Sequence, residues 1–507
     1  MNVSQLFEEK FQKIGERVML QFEGRGISNK ELRERTNKLG NALRGLGIKP
    51  GEIVAVTMSN CPQVLESFGA IFRTGAVLLP ILFVLTAEEC RFILEDSGAV
   101  AVITDYTQEE KILEASAGIE SVRRVIVVGA RDTSRVIEYE DLLEQASPMM
   151  PIAEKEQDDT AMVMYTSGTT GRPKGVVLTH SNLLAAAMSS HEVNELTEPR
   201  NMFLCLPLAH IYGVVVMHTG ATTEFTEGKG VMIRWFDPEE CFRLIEEYSV
   251  NIFPAVPAMF ALLLHHPRAD DYDLSSLDDC VSASAPLPKE LREAFTSKFD
   301  CNMREFYGLT EATGMGAATR PGDTYRAGSV GRGYPGLELA IFDDDDNPLP
   351  TGETGEVVMR GPHVMKGYLN LPGETAEALR GGWLHTGDIG HLDDDGFLYV
   401  TDRKKDIIIK GGENIMPAHI EGVIREHHTV LDAAVIGVAD EIYGEDIVAF
   451  VCLKPGLPGA ASELMGFCGE RLSSFKRPRE IILLEALPRT SVGKINKRRL
   501  RNLYLEK

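Results

Sequence analysis

The stretch Tyr165-Thr-Ser-Gly-Thr-Thr-Gly-Arg-Pro-Lys-Gly175 sets small hydroxyl residues, glycines and a lysine between two apolar runs. Gly168 and Gly171 let the backbone turn tightly and approach a ligand closely. Thr166, Ser167, Thr169 and Thr170 add hydroxyl donors, and Lys174 adds a mobile positive charge, which together suit a polyphosphate. The G-x-x-x-x-G-K-[ST] spacing of the common ATPase loop is absent. Met162-Val-Met164 before the loop and Val176-Val-Leu178 after it read as strands, so no helix N-terminus directly follows. Standing alone, these residues fit a Gly/Thr-rich hairpin turn equally well.

A chain of 507 residues exceeds one ordinary core and predicts two or more domains. The formal net charge of −23 argues against nucleic acid or an anionic membrane as main partner. An anionic ligand must then be held by local basic groups and backbone dipoles. The eight cysteines are scattered with no C-x-x-C pair, which fits reduced thiols in a cytoplasmic protein. The start, Met1-Asn-Val-Ser-Gln-Leu-Phe-Glu-Glu-Lys10, carries no basic segment leading into an apolar one, so no secretory signal is expected. The longest apolar run, Ala76 to Leu85, is ten residues with Pro80 inside it; it reads as a buried strand, and no stable membrane insertion is expected.

Strand-like runs alternate with helical patterns over the first 400 residues. Ser28-Asn-Lys-Glu31 and Thr86-Ala-Glu-Glu89 are capping boxes, and Gly47 closes the helix that the first one opens. Glu52–Thr57, Val100–Ile103 and Val125–Val128 read as strands. This rhythm predicts an α/β fold of parallel or mixed sheets covered by helices. The pattern changes near residue 340, where Ile341-Phe-Asp-Asp-Asp-Asp-Asn-Pro348, and later Leu392-Asp-Asp-Asp-Gly-Phe397, read as solvated acidic turns rather than metal sites. We place a domain boundary at 401–402, giving an N-terminal domain 1–401 and a C-terminal domain 402–507.

Six further segments interrupt the pattern: Pro207-Leu-Ala-His-Ile-Tyr-Gly213, Ser282-Ala-Ser-Ala-Pro286, Tyr307-Gly-Leu-Thr-Glu311, His385-Thr-Gly-Asp388, Asp402-Arg403 and Pro488-Arg-Thr-Ser-Val-Gly-Lys494. Taken in order with the opening loop, the set resembles the adenylate-forming superfamily of acyl-CoA synthetases, carrier-protein adenylation domains and luciferases, over about residues 25 to 500. The resemblance implies a large domain of mixed sheets with a barrel-like part and a small mobile α+β domain. It also implies ATP, Mg²⁺ and coenzyme A as cofactors. The implied reaction has two halves: a carboxylate attacks the α-phosphorus of ATP, giving acyl-AMP and pyrophosphate, and a thiol then displaces AMP.

By the same resemblance, residues 166–174, with Ser167, Gly168, Thr169, Thr170 and Gly171 between Thr166 and Lys174, would hold the leaving pyrophosphate. Tyr307 would stack on adenine with Ala285 and Pro286 on its other side. Thr310 would bond the α-phosphate, Glu311 would ligate Mg²⁺, and Asp388 would accept the ribose hydroxyls, with Arg403 approaching from the second domain. Lys494 would bridge the acid and the α-phosphate. His210 would lie near the carboxylate on the thiol's route. Asp402 matches the hinge, and Ile407 to Gly412 would replace Lys494 for the second half-reaction, with Gly411 and Gly412 leaving room for pantetheine. Lys476-Arg477 would meet the nucleotide end of coenzyme A.

Two features depart from the family. Phe306 stands where many fatty-acyl members have glycine; pointing into the acyl pocket it would shorten it, and pointing into the core it would not. Tyr212, Val214, Val215, Met217, Ser282, Ala283, Gly308 and Met315 would line the rest, which is mostly apolar. Ile81-Leu-Phe-Val84 replaces the usual polar residue and proline. The expected enzyme is an AMP-forming acid–CoA ligase for a compact apolar acid (aromatic, alicyclic or short to medium chain). The alternatives are an enzyme loading a carrier protein and a longer-chain fatty acyl-CoA synthetase. A homodimer is compatible with this reading.

Overall fold

The apolar runs flanking the opening loop pair antiparallel, Thr160–Thr166 against Lys174–Thr179, with Met164 opposite Val176 and Thr166 opposite Lys174. The computed structural model describes the chain except residues 1, 167–171, 195–198, 223–227, 411–412, 441, 491–492 and 507, and at 218–222, 405 and 413–414 it describes the backbone alone. Among the described residues the hairpin belongs to an eight-stranded sheet. Its order is Gly367–Tyr368, Lys174–Thr179, Thr160–Thr166, Val77–Pro80, Ile53–Thr57, Ala101–Asp105, Arg124–Val128 and Ile137–Glu138. The strands are parallel except at the loop edge, where the first two pairings of that order are antiparallel. Strands such as Ala101–Asp105 are buried along their whole length, which is why they read as unbroken apolar runs.

A second sheet, nine-stranded among the described residues, carries Met202–Leu204, Ile252–Ala255, Asp279–Ala283, Asn302–Gly308 and Gly316–Ala318. Its core is aromatic: Phe203 stacks on Phe253 at 5.1 Å, Phe253 meets Phe260 edge-on at 5.9 Å, and Phe260 meets Phe295 at 5.0 Å. Truncating one of these rings to alanine would cost about 3–5 kcal/mol.

The capping box at Thr86 forms in both directions. The one at Ser28 forms by half: Ser28 Oγ accepts from Glu31 N at 3.0 Å, but the Glu31 carboxylate turns to Arg25 instead. The Asn29–Gly45 helix then stops as expected, with Gly47 at φ +82°. In the apolar departure Ile81 is buried, Phe83 lies edge-on to Trp235 at 5.6 Å, and Val84 is exposed. No helix among the described residues is long and apolar enough to cross a membrane.

These elements form one compact unit, residues 1–339 and 359–384; a second unit comprises 340–358 and 385–507. The change of character near 340 thus coincides with the start of a unit. The second unit holds most of a sheet ordered Glu338–Phe342, Gly355–Arg360, Leu384–Leu392, Leu398–Arg403, and another centred on the long pair Val430–Asp440 and Gly444–Leu453. The acidic runs are turns: Asp343 Oδ1 accepts from Asp345 N at 2.9 Å and Asn347 N at 2.8 Å, and Asp393 Oδ1 accepts from Asp395 N at 3.0 Å and Phe397 N at 2.9 Å.

Candidate active site

In the first unit, strand pairing sets Thr166 and Lys174 opposite each other at the mouth of the loop. Ser167, Gly168, Thr169, Thr170 and Gly171 lie outside the described residues. The base of the loop is pinned to the Ala87–Ser97 helix: Tyr165 Oη donates to Asp96 at 2.5 Å, and Arg172 lies over the Phe92 ring at 5.4 Å. Burial, with Asp96 adding to it, pushes the Tyr165 phenol well above its ordinary range. Lys174 forms an ion pair with Glu374, and its Nζ lies 5.0 Å from the centroid of the Tyr368 ring.

Thr310 and Glu311 lie in a 3-10 turn just after the Asn302–Gly308 strand, closed by Thr313 at φ +55°. The tight turn explains Gly308, since a Cβ there would fall 2.0 Å from the Gly314 carbonyl oxygen. A Cβ on Gly316 would likewise crowd Tyr307, 2.7 Å from its carbonyl oxygen. Sequence reasoning missed the segment that frames this turn. Thr313 Oγ1 donates to the His363 carbonyl at 2.6 Å, Met365 N to the Glu311 carbonyl at 2.8 Å, and Tyr368 Oη to Glu311 Oε1 at 3.0 Å. Asn182 Nδ2 holds the same segment through the Pro362 and Val364 carbonyls, at 2.7 and 2.9 Å. Gly367-Tyr368 was its one legible signal, a glycine before an aromatic; the other partners carry no pattern.

The Asp279–Ala283 and Asn302–Gly308 strands run parallel, with Ala283 opposite Phe306 and Ser282 opposite Glu305. Side chains alternate across a sheet, so Phe306 shares a face with Ala283, and Tyr307 shares one with Glu305. Burial lifts the Glu305 carboxyl to about 7, against a lowering pull from Arg292; this residue too was missed. The Phe306 ring is half-buried, edge-on to Tyr334 at 6.1 Å and under the Arg304 guanidinium at 5.2 Å. Arg304 is in turn committed to Asp279 and to Asn194 Oδ1, the latter at 2.8 Å. Ser282 is buried with its Oγ taking no hydrogen bond, and Met315 is buried. The chain leaves this strand through Ser284 at φ +72°, a strained conformation directly before Ala285 and Pro286.

His210 precedes the Ile211–Thr222 helix, and its Nδ1 accepts the Tyr212 N–H at 3.2 Å, which puts the proton of the neutral ring on Nε2. Buried Asn60 fixes the approach to it, donating to the Leu206 carbonyl at 2.9 Å and accepting from Leu208 N at 3.0 Å. Tyr212 Oη donates to the Val281 carbonyl at 2.9 Å, so this ring braces the strand.

In the second unit Asp388 faces Arg403 across paired strands, with Arg403 Nε 2.9 Å from Asp388 Oδ1. Thr386 Oγ1 accepts from Asp388 N at 3.0 Å. Asp402 accepts from Arg403 N at 2.8 Å and from Ala418 N, in the first turn of the Pro417–Arg425 helix, at 2.9 Å; burial raises its carboxyl. At Lys494 the carbonyl accepts from Thr490 N at 2.7 Å, and Gly493 before it takes φ +82°. Gly411 and Gly412 lie outside the described residues. Arg477 directs its guanidinium to the Gly469 and Leu472 carbonyls, at 2.6 and 3.0 Å, an engagement the coenzyme reading of Lys476-Arg477 did not foresee.

Glu311 fits a magnesium ion. A single hard carboxylate can be the protein's share of such a site, because phosphate oxygens and waters complete the shell. Among the described residues no group of three or more His, Cys, Asp or Glu is placed to cage a metal.

The fold and the matches that follow make the protein an AMP-forming acid–thiol ligase that draws on ATP. The chain belongs to the AMP-binding enzyme family, matching the AMP-binding enzyme description over residues 7–369 and that of the AMP-binding enzyme C-terminal domain over 419–494. It is 33% identical over 517 residues to a long-chain-fatty-acid–CoA ligase of Bacillus subtilis, covering 96% of this chain and 91% of that one. It is 33% identical over 496 residues to an indoleacetate–CoA ligase of Aromatoleum aromaticum, covering 97% and 96%. Among solved structures, ATP-bound MatB from Rhodopseudomonas palustris superimposes with a TM-score of 0.91 at 28% identity, over 99% of both chains.

Proposed function

We propose that this ligase activates a compact apolar carboxylic acid, aromatic, alicyclic or of short to medium chain, and transfers it to coenzyme A. The size limit rests on the Phe306 ring, which packs edge-on to Tyr334 at 6.1 Å and against the aromatic core of the nine-stranded sheet, and would shorten the acyl pocket by whatever part of it faces there. Arg304, the cation touching that ring, is committed to Asp279, so it offers little to a second carboxylate on the acid. An indoleacetate ligase and a long-chain ligase are both relatives, and Phe306 favours the former kind of acid.

In the first half-reaction a carboxylate oxygen attacks the α-phosphorus and the bond to pyrophosphate breaks. Two anions must meet, so catalysis rests on positioning and positive charge. Lys494 would lie between the carboxylate and the α-phosphate, Thr310 would donate to that phosphate, and the loop from Thr166 to Lys174 would retain the pyrophosphate. Tyr307 and Ala285-Pro286 would hold adenine, and Asp388 with Arg403 the ribose. Magnesium at Glu311 would neutralise phosphate charge.

In the second half-reaction the thiol sulfur attacks the acyl carbon and AMP leaves. Rotation of residues 402–507 about Asp402 would withdraw Lys494 and bring Ile407 to Gly412 in its place, with Gly411 and Gly412 flanking the pantetheine arm and His210 moving off its route. The cytoplasm is the compartment we assign, and a homodimer the assembly to test. Pyrophosphate release over a panel of acids, with and without coenzyme A, tests this reading. Turnover of small cyclic acids only with coenzyme A supports it. Preference for very long chains overturns the Phe306 argument, and transfer to a carrier protein alone overturns coenzyme A.

A further inference from the structure

We propose that Tyr368 is the positioning residue that sets Glu311 for its metal and Lys174 for the phosphates as one coupled pair. The inference rests on the reading of Glu311 as a magnesium ligand. Tyr368 is the one side chain among the described residues seen to touch both: its hydroxyl donates to Glu311 Oε1 at 3.0 Å, and its ring lies 5.0 Å from Lys174 Nζ. A hydroxyl on one carboxylate oxygen restricts the rotors of the glutamate and leaves the other oxygen to meet a cation. Partners of this kind orient metal ligands and tune their affinity. The ring face in turn favours an ammonium above it.

The backbone around Tyr368 is built to hold it. Gly367–Tyr368 pairs antiparallel with Lys174–Thr179, placing Tyr368 opposite Val176, two residues beyond Lys174. Tyr368 N donates to Thr375 Oγ1 at 2.9 Å, and a Cβ on Gly367 would fall 2.6 Å from Thr375 Cγ2, so only glycine lets the helix start pack there. On one flank Met365 N donates to the Glu311 carbonyl at 2.8 Å; on the other, Leu369 N donates to the Gly175 carbonyl at 2.7 Å. Five consecutive residues therefore tie the carboxylate turn to the strand that leaves the phosphate loop. The hydroxyl is the link that reaches the Glu311 side chain, and the ring is the link that reaches Lys174.

The two links can be separated by substitution. Tyr368→Phe removes the hydroxyl and keeps the ring; Tyr368→Leu removes both. Binding of a non-hydrolysable ATP analogue to the full-length enzyme is measured by calorimetry with and without Mg²⁺, so the readout does not depend on turnover. In Tyr368→Phe the gain in analogue affinity on adding Mg²⁺ falls by about tenfold to a hundredfold, while metal-free affinity stays at the wild-type value. Tyr368→Leu lowers metal-free affinity as well. Glu311→Gln abolishes the gain, and adding Tyr368→Phe to it changes nothing further. An unchanged gain in Tyr368→Phe overturns the proposal, as does an equal loss with and without metal, which marks a structural hydroxyl. A wild-type enzyme with no gain on adding Mg²⁺ overturns the magnesium reading of Glu311 and this inference with it.

Discussion

Arg403 Nε lies 2.9 Å from Asp388 Oδ1, and the two residues are direct partners across the Leu384–Leu392 and Leu398–Arg403 strands. Both belong to one compact unit, whereas the sequence suggests that Arg403 reaches the ribose from a separate domain. Asp388 is 96% buried at its side chain and Arg403 is 42% exposed, so an exposed guanidinium caps a buried carboxylate.

Removing the two members should therefore have unequal effects. Asp388→Asn loses the charge that would accept two ribose hydroxyls and raises KM for ATP by about tenfold or more. Arg403→Ala raises it by a few-fold only. Steady-state kinetics at saturating acid provide the measurement, and a larger effect from Arg403→Ala would contradict the assignment.

Asp402 joins the end of a strand to the start of a helix, through Arg403 N and Ala418 N. Asp402→Ala should lose a helix cap worth about 1 kcal/mol, seen as a lower melting temperature. If Asp402 is also the hinge, the substitution slows thioester formation more than adenylation. Equal slowing of the two half-reactions, measured separately, would count against the hinge.

Glu374 occupies the ammonium of Lys174, where a phosphate is expected to bind. Glu374→Gln should tighten inhibition by pyrophosphate about two- to fivefold, the range for a partly exposed ion pair. The gain shrinks as salt is added, because screening weakens the pair in the wild-type enzyme. Weaker inhibition in the variant would show that Glu374 helps the phosphates instead of competing with them.

Two buried histidines and a half-buried glutamate make stability depend on pH in opposite senses. Glu305 moves from 4.5 to about 7 on folding, so the folded chain holds an extra proton between those values and stability declines as pH rises through that window. Burial lowers His180 and His363 from 6.5 to about 4, so their contribution is complete above 6.5 and is lost as pH falls towards 4. Glu305→Gln should raise the melting temperature over wild type at pH 8 and not at pH 4. In that variant the melting temperature should still drop below pH 6.5, which thermal scans across pH would reveal; a flat profile contradicts the histidine assignment.

Much of this was readable from local chemistry. The two strands flanking the loop follow from the apolar runs Met162–Met164 and Val176–Leu178; their register, with Thr166 opposite Lys174, comes from the structure. The Thr86 capping box and the Gly47 stop have signals within a few residues. Ser28 shows the limit of such signals, because Arg25 competes for the Glu31 carboxylate that the box needs. Tyr368, Asn182, Asn60 and Glu305 were not read, and the cause is common to them. Each acts through a partner fixed by sheet pairing or burial, as when Tyr368 reaches Glu311 across 57 positions of sequence. Phe306 was legible as a departure, but its surroundings were not: Tyr334 comes from outside its strand, and Arg304, two residues before it, is committed to Asp279 on the neighbouring strand.

The central claim is that Lys494 acts in adenylation and has no part in thioester formation. Lys494→Ala should be assayed in separate half-reactions: pyrophosphate release from ATP and acid, and thioester formation from supplied acyl-AMP and coenzyme A. The account predicts loss of the first by several orders of magnitude, with the second close to wild type. Equal loss of both would contradict it.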